Sequence, residues 1–217
     1  MTDVHAARHR PRGLVLVSGT GTGVGKTFFA AVTLGLLRDR GLLVAARKPV
    51  QSFDPGESPL DSEVLAASTG EEPGVVCPTH RSYERSLAPP MAAEALGLPA
   101  FTIGELASEI QWPDGVVVGM VEGAGGPRSP LAADGDTVDL ARAIAPDLVV
   151  IVVDAGLGAI NAARVSAEPF EAQPVVVALN RFDDADDVHR RNADWLGLRA
   201  GLDVVTSPTE LATRVAP

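Results

Sequence analysis

The chain has 217 residues, 46% of them apolar and 4% aromatic, enough to bury one substantial core, and the natural expectation is one α/β domain. Its 18 Lys and Arg stand against 28 Asp and Glu, and the net charge of −10 argues against a nucleic-acid-binding surface and for small-molecule partners. A lone cysteine, Cys77, excludes an intramolecular disulfide, and no apolar run approaches the ~18 residues needed to cross a bilayer, so a soluble, cytoplasmic protein is expected.

Residues 1–12 carry His5, Arg8, His9 and Arg10 but no apolar stretch that could form a signal-peptide core. They read as a disordered tail, ahead of a single domain over 13–217. The apolar run Leu14–Ser18 is the first expected strand, and it feeds Gly19-Thr20-Gly21-Thr22-Gly23-Val24-Gly25-Lys26-Thr27, which opens an apolar-periodic helix over Lys26–Arg40. A strand, a glycine-rich turn and a helix start aim backbone N–H groups and a positive helix end at one place, where a polyphosphate fits. Lys26 then reaches the β- and γ-phosphates and the Thr27 hydroxyl holds Mg²⁺. The common pattern wants glycine where this chain has Thr20, so the loop is a variant with its glycine one place earlier.

The next strand, Leu43–Arg47, ends in Arg47-Lys48-Pro49-Val50-Gln51-Ser52. Lys48 there can add a second ammonium to the phosphate site; read alone, it also fits an exposed lysine closing a strand. Helices are expected over Asp61–Ser68, Met91–Leu96 and Ile103–Ile110. The strand Val116–Val121 then runs into Glu122-Gly123-Ala124-Gly125-Gly126, where a carboxylate before flexible glycines suits either a Mg²⁺ ligand or a plain turn. A helix over Val138–Ile144 precedes the strand Leu148–Asp154, whose end, Gly156-Leu157-Gly158-Ala159-Ile160-Asn161, leads into a helix over Asn161–Glu168. That helix N-terminus can cradle a carboxylate, or its glycines can serve only close packing. The strand Val175–Asn180, a helix over Asp187–Leu196 and a weaker strand Asp203–Thr206 complete the series. Strands that are apolar throughout and alternate with helices are buried on both faces, which predicts a doubly wound, mainly parallel sheet with helices on both faces, of P-loop NTPase type. Ligands then bind beyond the carboxyl ends of the strands. The acidic residues Asp183, Asp184, Asp186 and Asp187 read as a solvated loop and helix start, His80 and His189 as surface residues, and Cys77 as a small buried or half-buried thiol.

The phosphate loop, Lys48-Pro49-Val50-Gln51-Ser52, Glu122-Gly123-Ala124-Gly125-Gly126, Leu157-Gly158-Ala159-Ile160-Asn161 and Asn180 occur in the order and spacing of the dethiobiotin synthetase family, which the chain resembles over roughly Leu14 to Asn180. The stretch Ala88-Pro89-Pro90-Met91-Ala92-Ala93 is similar to the family's substrate-side helix start, and the long phosphate loop is a family trait. The resemblance implies an ATP- and Mg²⁺-dependent cyclo-ligase. In it 7,8-diaminononanoate takes up CO₂ as a carbamate, ATP converts this to a carbamic-phosphate anhydride, and the second amine closes the ring of dethiobiotin, with release of ADP and phosphate. It further implies Lys48, Lys26 and Thr22 as catalytic residues, and Gly23, Val24, Gly25, Lys26, Thr27, Phe28, Gly123, Ala124, Gly125, Asn180 and Arg181 around the nucleotide. Thr27, Asp61 and Glu122 surround Mg²⁺, Ser52 contacts the diamine or carbamate, and Gly158, Ala159, Ile160 and Asn161 hold the substrate carboxylate across a homodimer interface.

The chain departs from the family pattern at Phe53, where glycine is usual, and at Ala162, where many members have histidine. Between Ser52 and Asp61 no residue anchors the alignment, so Asp54 or Glu63 can replace Asp61 at the metal. Other classes of function stay open: an ATPase switch of the variant P-loop class, although such switches carry a lysine near the loop start and positions 19 to 23 have none, or a nucleotide-binding relic without turnover. The string Asn180-Arg181-Phe182-Asp183 also resembles the one that GTP-binding proteins use to read guanine.

Overall fold

The structure, a computed structural model, describes residues 9–217. In chain order its main elements are β1 (Gly13–Gly19), α1 (Lys26–Asp39), β2 (Val44–Arg47), β3 (Gln51–Ser52), α2 (Asp61–Thr69) and α3 (Pro73–Val76). There follow β4 (Ser82–Tyr83), α4 (Pro89–Ala95), α5 (Ile103–Glu109), β5 (Val118–Glu122), β6 (Pro130–Ala132), β7 (Gly135–Asp136) and α6 (Thr137–Ile144). The last are β8 (Leu148–Asp154), α7 (Ala159–Ala167), β9 (Val175–Asn180), α8 (Asp187–Leu198), β10 (Asp203–Val205) and α9 (Pro208–Val215).

Six strands form one sheet in the order β10-β9-β8-β1-β5-β2, every neighbouring pair parallel. Alternate side chains of a strand point to opposite faces, and here both faces are covered. Leu14 and Leu16 of β1, with Val149, Ile151 and Val153 of β8, enter one buried cluster. Val15, Val17, Val150 and Val152 enter the other, with Phe29, Leu34 and Leu37 of α1. The sheet is therefore doubly wound. Its register sets Val17 beside Glu122 and Asp154 beside Asn180, so the functional strand ends finish level along one edge.

Several expectations are refined. Glu122 is the last residue of β5 rather than the first of a loop, and it is 1% exposed. Helix α4 begins at Pro89, whose fixed φ suits a first helical turn. The ribbons β3–β4 and β6–β7 and the helix α9 were not expected; Ser207, which caps α9 by accepting from Glu210 N–H, with Pro208 behind it, is the local signal for the last. Of the expected tail over 1–12, residues 1–8, with His5 and Arg8, lie outside the described residues. Residues 9–12 are not tail-like: Arg10 reaches Asp147 at 2.9 Å, Pro11 is buried beside Gly119, and Arg12 N–H donates to Val116 O. These contacts join the segment to residues more than 100 positions away, which local composition cannot reveal. Among the described residues no helix is long and apolar enough to cross a membrane.

Candidate active site

A cavity of about 660 Å³ opens at the carboxyl ends of β1, β2 and β5. It is lined by Thr22, Gly23, Gly25, Lys26 and Thr27 from the phosphate loop, by Lys48, Ser52 and Asp61, and by Ala124 and Gly125. Lys48, 2% exposed, is its electrostatic centre. Its ammonium donates to Glu122 Oε1 at 2.6 Å, Asp61 Oδ2 at 2.7 Å and Gly123 O at 3.1 Å. Burial alone would favour the neutral amine, but Glu122 and Asp61 together raise its pKa above the ordinary lysine value, so it stays charged. The Asp61 carboxyl is driven up by burial yet ends below its ordinary value, because Lys48 and the Thr27 hydroxyl stabilise the anion. Glu122, wholly enclosed, is pushed up by burial with Lys48 pulling the other way.

The phosphate loop is ready for an anion. Helix α1 starts behind Gly25, which stands at φ 94°, and no side chain caps it. The N-terminal N–H groups of a helix need partners, and a phosphate supplies them. Only glycine fits at position 25: a Cβ there would stand 2.0 Å from Asn180 Nδ2. Lys26 Nζ folds back to donate to Gly21 O at 2.7 Å, and burial, followed by the nearby Lys48 charge, lowers its pKa. Asn180 donates to Val24 O at 2.9 Å, and Arg181 to Gly23 O at 3.0 Å. Phe28, in the first turn of α1, is 55% exposed.

The oxygen groups beside Lys48 fit a divalent cation that also contacts phosphate. Thr27 Oγ1 lies 2.7 Å from Asp61 Oδ1 and 2.9 Å from Glu122 Oε1, and the buried Glu122 Oε2 has no hydrogen-bond partner. Among the described residues no three or more His, Cys, Asp and Glu side chains converge as a metal cage. Mg²⁺ does not require one, since it keeps waters and takes one or two carboxylates plus substrate phosphates. Of the acidic alternatives, Asp61 joins Thr27 and Lys48. Glu63 instead accepts from Leu60 N–H at 2.7 Å and belongs to its own helix start, and the exposed Asp54 lies at the cavity mouth.

The segment expected to hold a carboxylate, Gly158, Ala159, Ile160 and Asn161, forms the N-terminus of α7 and does not line the cavity of its own chain. Leu157 before it is 98% exposed. Phe53 does not require the unusual backbone angles that glycine would allow: it has no positive φ, and its N–H extends the small ribbon by donating to Tyr83 O. Ser52 Oγ donates to Leu87 O at 2.6 Å. The cavity wall formed by Gln51, Glu57, Ser86, Leu87 and Ser129 was missed, and only the neighbouring Ala88-Pro89 stretch hinted at it. Cys77 is buried with its thiol pushed up to about 12. His80 is largely exposed, whereas His189 is half-buried, with Nδ1 accepting from Asp183 N–H. Asp186 caps α8, and Asp183 closes the turn before it.

Comparison with known proteins agrees with this geometry. A family profile described as an AAA domain matches residues 14–204. The ATP-dependent dethiobiotin synthetase BioD of Corynebacterium efficiens is 38% identical over 160 residues, covering 71% of this chain and 68% of the relative. The protein of the same name from Rhodococcus jostii is 34% identical over 94% of this chain and 89% of its own length. Among solved structures, chloroplast FtsY from Physcomitrella patens shares the fold at 15% identity, with a TM-score of 0.54 over 97% of this chain and 67% of that one. With the phosphate loop, the buried lysine and carboxylates at the strand ends, and these relatives in agreement, the chain belongs to the dethiobiotin synthetase family.

Proposed function

We propose that the protein is an ATP- and Mg²⁺-dependent cyclo-ligase that closes 7,8-diaminononanoate and CO₂ into dethiobiotin. The observation that carries this reading is the buried Lys48, held between Glu122 and Asp61 beside a phosphate loop, in a cavity that Ser52 also lines. One amine adds to CO₂ and loses a proton, giving a carbamate. A carbamate oxygen attacks the γ-phosphorus of ATP and ADP leaves. The second amine then attacks the carbonyl carbon of the resulting carbamic-phosphate anhydride, phosphate departs and the ring closes.

The difficulty in this sequence is the approach of two anions, and concentrated, pre-oriented positive charge lowers that barrier. Lys48 suits this role because its ammonium is held in place before substrate arrives. Lys26 and the N–H groups behind Gly25 hold the β- and γ-phosphates, and Thr22 adds a hydroxyl at the γ-phosphate. Thr27, Asp61 and Glu122 would hold Mg²⁺, which neutralises phosphate charge. Ser52 meets the diamine or carbamate, while Asn180 and Arg181 lie at the base side of the loop.

The proposal extends to a homodimer in which Gly158, Ala159, Ile160 and Asn161 receive the substrate carboxylate for the neighbouring site. Its support is that this helix start does not line its own chain's cavity, with Leu157 almost fully exposed beside it. Incubating the protein with diaminononanoate, bicarbonate, Mg²⁺ and ATP should yield dethiobiotin by mass, with one ADP per product. ATP hydrolysis that is independent of the diamine, with no dethiobiotin, would instead favour a switch.

A further inference from the structure

Two successive peptide planes of the phosphate loop are pinned from outside. In a trans peptide the carbonyl and the following N–H point in opposite directions. Arg181 Nη2 holds Gly23 O at 3.0 Å, so the N–H of Val24 faces away from Arg181; Asn180 Nδ2 holds Val24 O at 2.9 Å, so the N–H of Gly25 is turned in the same manner. Asn180 is fixed by its seat against Gly25, but Arg181 is a long side chain on the surface and needs something to hold it. Asp154, the last residue of β8, does so. Its Oδ2 accepts from Arg181 Nη1 at 2.6 Å, while Oδ1 accepts from Gly156 N–H at 3.1 Å, so the carboxylate cannot swing away. These same two bonds, Arg181 first and Gly156 next, keep the Asp154 carboxyl below its ordinary pKa. Arg181 itself stands at φ 56°, a left-handed conformation that a non-glycine residue adopts at some energetic cost and that is kept where surrounding contacts over-determine it.

We propose that Asp154 is a positioning residue for nucleotide binding: through Arg181 it fixes the Gly23–Val24 peptide so that its N–H is aimed at the phosphates. The chain Asp154–Arg181–Gly23 couples the end of β8 to the loop after β1, two neighbouring strands, and requires no contact between Asp154 and the ligand. It rests on the nucleotide-binding part of the function proposed above, but not on the ring-closing chemistry.

The test is a double-mutant cycle read by calorimetric titration with ADP and Mg²⁺, which needs no diamine. Asp154→Asn keeps an acceptor for Gly156 N–H and removes the charge that holds Arg181. Asp154→Asn and Arg181→Ala should each raise the dissociation constant for ADP by about fivefold, the upper end for an exposed charge pair. The double variant should be no weaker than either single one, because both substitutions break the same link. Thermal midpoints should be nearly unchanged, since the pair is exposed, and this separates positioning from folding. Unchanged ADP affinity in Asp154→Asn, or effects that multiply in the double variant, would overturn the proposal while leaving ring closure intact. If the unaltered protein bound no nucleotide, this proposal and the proposed function would fall together, whereas tight ADP binding without dethiobiotin formation would remove only the latter.

Discussion

Two regions along the carboxyl edge of the sheet could hardly be built more differently. Around β1, β2 and β5 the functional groups are charged and enclosed: Lys48, Glu122 and Lys26 are 2%, 1% and 7% exposed. Lys48 and Glu122 neutralise each other and Lys26 donates to Gly21 O, so each has a partner within the chain that fixes its position before any ligand arrives. After β8 the groups are bare. The N-terminus of α7 has no side-chain cap, and the neighbouring Leu157 is 98% exposed. The groups of the first region contact one another within the chain, and those of the second are the ones that the proposed dimer would engage. Substitutions in the first should therefore disturb both fold and chemistry, and substitutions in the second should disturb recognition alone.

The largest effect is expected from Lys48→Ala. Turnover should fall by at least ~100-fold, the scale for losing a pre-oriented charge in a reaction of anions. Because Glu122 would be left buried and uncompensated, the fold should also lose about 3–5 kcal/mol. Steady-state kinetics beside urea unfolding measure both, and near-normal turnover would remove Lys48 from the reaction. Lys26→Ala, nearer the loop surface, should instead weaken nucleotide affinity and turnover together.

Glu122→Gln sharpens the contrast within the buried region, since it removes one charge at constant size. The Mg²⁺ concentration for half-maximal activity should rise roughly 10-fold, a scale known for losses at metal sites. An unchanged Mg²⁺ dependence in a titration would argue that Glu122 serves only to hold Lys48.

The exposed region is tested by mixing. Lys48→Ala protein combined with Asn161→Ala protein should regain roughly a quarter of the unaltered activity, because random assortment in a two-fold dimer leaves one intact site in each mixed pair. No recovery, when light scattering shows that subunits exchange, would end the shared-pocket proposal.

The smallest effect concerns an ion pair far from the chemistry. Glu109 meets Arg81 at 2.6 and 2.9 Å, and chiefly through that contact its carboxyl is held below the ordinary value, against the opposing effect of burial. A carboxyl depressed in the folded state contributes stability that is present above its unfolded pKa and lost as pH falls through the lower folded pKa. Glu109→Gln should thus lower the thermal midpoint at neutral pH, and the difference from the parent should shrink in acid. A difference that is the same at both would contradict the assignment.

The sequence by itself determined what depends on short range. Apolar runs such as Val149–Val153, alternating with helical patterns, read as strands buried on both faces, and Gly25-Lys26-Thr27 after one such run reads as a helix start suited to a phosphate. Lys48 and Glu122 were legible as strand-end residues, because a parallel sheet gathers its carboxyl ends at one edge. Only the tertiary structure decided which acidic side chain completes that group: Asp61, Asp54 and Glu63 are equivalent on composition, but the start of α2 aims Asp61 at Lys48 and turns Glu63 back onto its own helix. It also decided that Arg10 joins Asp147 and that Asp154 holds Arg181 over Gly23. Such contacts link residues that are distant in the chain, where no periodicity or propensity carries the information, and they exist because β8 lies beside β1.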